Sequence, residues 1–398
     1  MKFLYKFFLV LMLMLPILSV SLPVSSPVAS ISISGMTTVL LVAVLSPLLL
    51  TIPTHVARNS LEVLLYAAFL AKVWAGLLGP TVGSIEIQEC LSYLLFLLAY
   101  LLGRSVHSGQ GLRKLARVIP WFALIYYYSY PAVFGLINEA GEINFPCGRS
   151  GTLFCVVAMS YCLLDYLLEN RRWKLCVLAL LAIVSFLTIS RMSSLCSLVI
   201  LLIGFSIRNR AFSGVRFLGC VSAAALCGIA AYLYIPSFNT RMSGNDATLQ
   251  VAGLTINGEG RAMNWTILVD GIADNALWGR GVGAAKRLMI QTNMTHPHND
   301  YLRIVYDHGF VGLALFLGFF FIVLYKSLRT FTSHGMGSPQ GTLALSNLVA
   351  IGCALLYFFT DNAIIYNFVI FPLGVFLGHC MSGMVSGKDA GQGEYARH

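Results

Sequence analysis

Long, continuous apolar runs separated by short polar stretches dominate the sequence. Runs of about 18 to 20 apolar residues have the length of a membrane-spanning helix, and they lack the alternation of membrane-barrel strands. We therefore predict an all-α, polytopic membrane bundle. Its twelve predicted spans cover residues 3–20, 36–52, 61–78, 87–102, 118–137, 150–168, 175–190, 192–206, 217–235, 304–325, 342–360 and 363–382. We expect the first span to be retained; a cleaved signal peptide, leaving eleven spans, is the alternative.

The composition and the charge distribution agree with this architecture. Of 398 residues, 58% are hydrophobic and only 11% are charged, whereas a soluble chain carries about 25% charged residues. The net charge of +10 lies mostly in short segments on one side of the predicted bundle. Lys and Arg in such segments mark the cytoplasmic side of a membrane protein. The positive charge therefore sets the topology, and we expect membrane lipids but no nucleic acid as partners.

One long outer segment interrupts the bundle. It covers residues 236–303 and separates spans one to nine (1–235) from spans ten to twelve and a cytoplasmic tail (304–398). Within it, "GRAMNWTILVDGIADNALWGRGVG" predicts a helix lying on the outer face of the bundle. Its apolar stripe would consist of Met263, Ile267, Leu268 and Ile272. The glycines of "GRGVG" fit neither the dinucleotide fingerprint nor the P-loop, so we interpret them as a turn.

Three arginines on the predicted outer side are not explained by the rule that Lys and Arg mark the cytoplasmic side. Arg191, in "TISRMSS", lies between two apolar runs, where an arginine is costly unless it is paired or binds an anion. Arg261 opens the loop helix, so its guanidinium and the helix N–H groups are placed to bind one anion together. Arg149 opens span six and is a further candidate phosphate contact. The alternative for each is a structural arginine at a helix start or membrane interface. Neighbouring hydroxyls would add donors beside Arg191: Ser190, Ser193 and Ser194.

The stretch "THPHNDYLR" joins the loop to span ten. Pro297 separates His296 from His298 and favours an extended or turn backbone there. Asn299 or Asp300 is then placed to cap a helix that begins near Tyr301. A histidine at this position is suited to general base catalysis, because its pKa lies near neutral pH.

A metal site is the other interpretation of this stretch. It would recruit His296, His298, Asp300 and Asp307, but their spacing fits no zinc motif. We therefore expect neither a metal nor another cofactor.

Outer arginines combined with a histidine indicate group transfer from a phosphate-linked donor. A pyrophosphate leaving group needs charge stabilisation, which arginine supplies, and little protonation. The acceptor hydroxyl needs to lose a proton, and a histidine base contributes roughly 10²–10⁴-fold to such a step. Because nucleotides are not expected on the outer side, a lipid-linked pyrophosphate is the natural donor.

The motifs resemble those of the O-antigen ligase/polymerase superfamily. "HPHNDYLRIVYDHGFVGLALF" is similar to the family signature H-x-H-N-x-x-L followed by GxxG, and "GRAMNW…WGRGVG" to its R-x-x-x-W…G-x-G segment. "TISR" resembles its other arginine motif. The resemblance covers roughly residues 180–325 by motif and the whole chain by topology.

The resemblance implies a metal-independent, inverting GT-C-type glycosyltransferase of the bacterial inner membrane, with short helices in one large periplasmic loop. Its donor would be an undecaprenyl-pyrophosphate glycan. Arg191 and Arg261 would hold the pyrophosphate, and His298 would activate the acceptor hydroxyl. His296 is the alternative histidine, and Arg303 would assist from the first helical turn. The motifs do not separate a ligase, which uses a lipid A–core acceptor, from an O-antigen or exopolysaccharide polymerase, which extends a lipid-linked glycan. Short remaining outer loops favour the ligase.

A transporter or flippase is the alternative from another class. Such a protein would line a path through the membrane with ionisable groups. Glu62, Lys72 and Asp165 are the ionisable groups that the sequence places clearly near or within the spans, and they lie towards span ends or have no evident partner. We therefore expect chemistry at the outer face.

Overall fold

The computed structural model describes residues 10, 13–17, 33–51, 60–78, 83–105, 109–136, 145–146, 148–169, 171–188, 190–208, 248–251, 254–257, 261–292 and 297–386. Helices make up most of these residues, because apolar runs of this length satisfy their own backbone hydrogen bonds only as helices. They are α1 Ile33–Thr51, α2 Leu61–Ala75, α3 Ser84–Ser105, α4 Gly109–Phe134, α5 Gly148–Glu169, α6 Trp173–Leu187, α7 Arg191–Arg208, α8 Arg261–Ile272, α9 Ala284–Gln291, α10 Asp300–His334, α11 Pro339–Thr360 and α12 Asn367–Ser386.

Ten of the predicted spans coincide with one of these helices. The largest differences are at α4, which begins nine residues before the predicted span, and at α10, which extends beyond the predicted span at both ends. The predicted spans 3–20 and 217–235 lie outside or largely outside the described residues. A short antiparallel hairpin, which the sequence analysis did not predict, pairs Thr248–Val251 with Leu254–Asn257.

Five of the described helices are long and apolar enough to cross a membrane: α3, most of α5, α10, α11 and most of α12. The chain is therefore a multi-pass membrane protein, as predicted. The total of twelve spans remains a prediction.

Close packing of α12 against α3 forms the centre of the bundle. A Cβ on Gly103 would lie 2.3 Å from the carbonyl oxygen of Val375, and one on Gly378 would lie 2.1 Å from that of Tyr100. Only glycine allows two helix backbones to approach this closely, as is typical of helix pairs in membranes. This contact fixes α3, which carries the charged residues Glu86, Glu89 and Arg104 described below, against α12.

Helix α10 turns sharply at Gly309, whose φ of 69° and ψ of −178° are not helical. Two contacts of Phe358 in α11 show this turn. The centroid of its ring lies 6.3 Å from that of Tyr301 and 5.6 Å from that of Phe316. Fifteen residues of straight helix would separate those two positions by about 22 Å. The first nine residues of α10 therefore do not continue the line of the membrane-spanning part that follows.

Two of the three ionisable groups near the predicted spans, Glu62 and Asp165, form ion pairs, which corrects the expectation from the sequence. Glu62 is fully buried and binds Arg104 and Lys326, each at 2.6 Å. Asp165 binds Lys174 at 2.5 Å. Their partners come from other helices or from a later helix start, so the pairing is invisible in the local sequence.

The loop helix α8 packs against the first part of α10. Leu268 is fully buried beside Tyr306, and Ile267 and Ile272 are partly buried there. The predicted apolar stripe is wrong for Met263, which is 60% exposed. Because α8 contacts α10 along one narrow line, a residue at the edge of the stripe remains outside the contact.

Candidate functional site

His298 lies just before α10, in a backbone conformation that residues other than glycine rarely adopt. Its φ is +50°, and no other described non-glycine residue has a positive φ. The next residue, Asn299, caps the helix: its side chain accepts a hydrogen bond from the N–H of Leu302 at 3.0 Å. Of the two predicted caps, Asn299 is therefore the one used. Backbone strain of this kind is found where a side chain has to be held in one orientation.

Asp361 holds the ring of His298. The His298 Nδ1 atom lies 3.3 Å from Asp361 Oδ1, and both side chains are partly exposed, by 32% and 21%. Asp361 follows the last residue of α11, and its Oδ1 also accepts from its neighbour, the N–H of Asn362, at 2.8 Å. A carboxylate at Nδ1 favours the tautomer in which Nε2 is the proton acceptor. Sequence analysis missed Asp361; its position in "TDN" at the predicted outer end of a span was the available signal.

Tyr366 links this pair to α5. Its hydroxyl lies 3.4 Å from Asp361 Oδ1, and it also forms a hydrogen bond with the side chain of Ser150. Burial, together with the negative charge of Asp361, raises the pKa of Tyr366 above its ordinary value. These contacts join the start of α5, which contains the predicted residue Arg149, to the histidine–aspartate pair through Tyr366.

Arg191 is the first residue of α7 and is exposed. The helix start is fixed from below by Ser193, which is fully buried and hydrogen-bonded to Thr152 of α5 and to Ser190. Ser194 donates to the carbonyl of Ser185. The hydroxyls expected to surround a ligand thus serve internal contacts, while the start of α7 is tied to α5.

Arg261 opens α8, and a tryptophan one turn later ties that helix to the site. The indole Nε1 of Trp265 donates to the carbonyl of Pro297 at 2.9 Å. Its ring also lies 5.6 Å from that of Phe359, near the end of α11. The starts of α5, α7, α8 and α10 therefore gather at one end of the bundle. Helix N-termini attract anions, because their N–H groups carry partial positive charge.

Arg303 is buried below this end, away from the position expected for a ligand contact. It is 2% exposed, with its guanidinium 3.2 Å from the carboxylate of Asp300 and 3.3 Å from the hydroxyl of Tyr93. The second oxygen of Asp300 accepts from the N–H of Ile364 at 3.1 Å. This buried ion pair joins the start of α10 to the segment after Asp361.

A second group of charges lies beneath the loop helix α9. Asp307 accepts a hydrogen bond from the N–H of Ala285 at 2.7 Å, and Glu86 forms an ion pair with Arg287. Glu89 is 2% exposed, and neither of its carboxylate oxygens has a hydrogen-bond partner among the described residues. Burial lowers the pKa of Lys286, which the nearby carboxylate of Glu89 opposes. Helix α9 is thus held to the bundle by an ion pair and by a backbone hydrogen bond to a buried carboxylate.

The predicted histidines and acidic residues do not form one metal-binding group among the residues that the structure describes. Asp300 and Asp307 face the two different sets of partners given above. His296 lies outside the described residues.

The class defined so far is a multi-pass helical membrane protein with a histidine–aspartate pair and several helix starts at one end. Residues 176–317 match the family model described as O-antigen ligase. This segment contains Arg191, Arg261, His298 and Arg303. The match confirms the predicted resemblance to the O-antigen ligase/polymerase superfamily over this segment. No curated protein matches the chain.

Proposed function

We propose that the protein is a glycosyltransferase of the O-antigen ligase type. It would transfer a glycan from undecaprenyl pyrophosphate to a hydroxyl of a lipid A–core sugar at the periplasmic face of the bacterial inner membrane. The observation that carries the proposal is the 3.3 Å contact between His298 Nδ1 and Asp361 Oδ1. It lies where four helix starts gather, and the family match supports this class of chemistry.

His298 acts as the general base in this proposal. Its Nε2 atom takes the proton of the acceptor hydroxyl while that oxygen forms a bond to the anomeric carbon of the donor. The bond between the anomeric carbon and the pyrophosphate oxygen breaks, and undecaprenyl pyrophosphate leaves with the electron pair. Attack opposite the leaving group inverts the anomeric configuration. Asp361 keeps Nδ1 protonated and stabilises the imidazolium that forms.

Arg191 and Arg261 bind the pyrophosphate. Both are first residues of helices, so each guanidinium acts together with the N–H groups of its own helix. Such fixed positive groups favour the charge that develops on the leaving oxygen, and no metal ion is needed for that. Arg149, at the start of α5, is a further pyrophosphate contact in this proposal, and His296 is the alternative base.

In this proposal Arg303 has a structural role. Its contacts with Asp300 and Tyr93 hold the first turn of α10, and that turn carries His298. A direct pyrophosphate contact by Arg303 would require its ion pair with Asp300 to open.

The decisive experiment uses purified protein, a lipid-linked pyrophosphate glycan, and two acceptors offered separately. Product on lipid A–core alone is the expected result. A ladder on the carrier lipid would assign the polymerase function instead, and no product from folded protein would reject glycosyl transfer. A parallel reaction with excess chelator should run at the same rate. Loss of activity that added metal restores would contradict the metal-independent mechanism.

A further inference from the structure

The turn at Gly309 leaves backbone groups of α10 without their helical partners, and a loop segment supplies new ones. In an unbroken helix, the N–H groups of Phe310 and Val311 would bond the carbonyls of Tyr306 and Asp307. Here those N–H groups donate to the carbonyls of residues 276 and 277 at 2.8 and 3.3 Å. The freed carbonyls accept from the N–H groups of residues 280 and 281, both at 2.9 Å. Four hydrogen bonds thus replace two.

The fit between these segments requires two glycines. A Cβ on Gly309 would lie 2.1 Å from the carbonyl oxygen of Leu277, and one on Gly279 would lie 2.5 Å from the backbone of Asp307. Both glycines have positive φ. The loop between α8 and α9 is therefore fixed rigidly to the point at which α10 turns.

At this fixed point the loop presents two large apolar side chains outward. Leu277 and Trp278 are 56% and 59% exposed, and Phe310 beside them is 54% exposed. We call Leu277 and Trp278 the loop tip. Lys72 of α2 lies against the tip: its Nζ donates to the carbonyl of Trp278 at 2.9 Å and lies 5.0 Å from the indole ring.

The depth of the loop tip in the membrane follows from the residues of α10. Residues 310–325 contain no charged side chain, and Lys326 after them binds Glu62. Sixteen helical residues span about 24 Å, which is close to the hydrocarbon thickness of roughly 30 Å. Phe310 and the loop tip therefore lie at one edge of the hydrocarbon layer, on the side of His298. Tryptophan with lysine is the side-chain chemistry that favours this boundary.

We propose that the loop tip inserts into the lipid leaflet on the side of the site, at the boundary between headgroups and acyl chains. The indole and Leu277 contact acyl chains, and the ammonium group of Lys72 lies at the headgroup level. Because the tip is bonded to the turn at Gly309, the lipid surface fixes the height of the first part of α10. This inference does not depend on the proposed reaction.

Fluorescence quenching by lipids tests the insertion. The full-length protein and a Trp278→Phe variant are placed in nanodiscs whose lipids carry bromine near the headgroup end of the acyl chain. Subtracting the emission of the variant from that of the unsubstituted protein isolates the emission of Trp278 from that of the other four tryptophans of the chain. We expect this emission to be quenched strongly by the brominated lipid and weakly by acrylamide in water. Trp173→Phe, on the opposite side of the bundle, is the matched control for the subtraction.

Two results would overturn the proposal. Quenching of the Trp278 emission by acrylamide but not by brominated lipid would place the tip in water. Quenching by neither would mean that protein, such as a second copy of the chain, covers it. A Leu277→Cys variant with a nitroxide label gives an independent measurement, because oxygen dissolved in lipid should relax the label faster than a water-soluble nickel complex does.

Discussion

Asp361 lies 63 residues after His298 in the chain and 3.3 Å from its ring. The two residues occupy the ends of different helices, α11 and α10. Separate contacts fix the packing of these helices, such as the hydrogen bond that the Tyr301 hydroxyl donates to the carbonyl of Leu355 at 2.6 Å. The histidine is therefore held from two directions, by its own strained backbone and by a carboxylate from a neighbouring helix.

Removing the base should abolish most of the activity. We expect His298→Ala to lower kcat by roughly 10²–10⁴-fold, the usual contribution of a positioned general base. His334→Ala, at the far end of the same helix, is the matched control and should retain full activity. A His298→Ala protein that is folded and fully active would reject the assignment.

Asp361→Asn should reduce kcat while leaving the KM of the donor unchanged. The asparagine keeps the shape of the side chain but no longer stabilises the imidazolium or selects the tautomer. The rate should be measured over a range of donor concentrations, so that kcat and KM are determined separately. Asn362→Ala, which removes the neighbouring side chain, serves as the control. An unchanged kcat in Asp361→Asn would mean that the contact has only a structural role.

The arginines at helix starts should determine donor binding. We expect Arg191→Ala and Arg261→Ala to weaken inhibition by inorganic pyrophosphate and to lower kcat/KM for the donor. Lysine in place of either arginine should restore only part of the pyrophosphate inhibition and of kcat/KM. It cannot bind phosphate oxygens in the bidentate geometry of a guanidinium. Arg329→Ala, near the opposite end of α10, is the control. Equal inhibition of all variants by pyrophosphate would place the donor elsewhere.

Arg303→Ala should act mainly on stability. Removing one partner of a buried ion pair leaves the other charge buried and uncompensated, which costs about 3–5 kcal/mol. Arg303 and Asp300 are 2% and 0% exposed, so this penalty applies to them. Thermal unfolding in detergent should show a large loss for Arg303→Ala and little change for the exposed Arg191→Ala. Unchanged stability together with lost activity in Arg303→Ala would instead support a direct contact with the donor.

Alanine at Gly309 should disrupt the junction between the loop and α10. Gly335 provides a matched control, because its φ of 65° and ψ of 178° are nearly those of Gly309, but nothing lies within 4 Å of its missing Cβ. Strain alone should make Gly335→Ala less stable by about 1–3 kcal/mol. Gly309→Ala should lose more stability, because the added Cβ would overlap the carbonyl of Leu277. Equal losses in unfolding measurements would mean that the loop moves aside readily.

The sequence by itself determined the helices and the positions of the candidate residues along them. Apolar runs, proline, an Asn cap and charged segments act through the local backbone, so α11, α12 and the start of α10 follow from their own residues. The order of the arginine and histidine motifs was also sufficient to indicate the family that the match over residues 176–317 supports.

Only the tertiary structure decided which of these residues meet. The contacts of His298 with Asp361, of Arg303 with Tyr93 and of Glu62 with Lys326 all join residues from different helices. Such contacts depend on how helices pack, and hydrophobic periodicity does not specify packing partners. The turn at Gly309 has the same origin. Its backbone conformation is stabilised by hydrogen bonds from residues 276–281, a segment that precedes it by some thirty positions in the sequence.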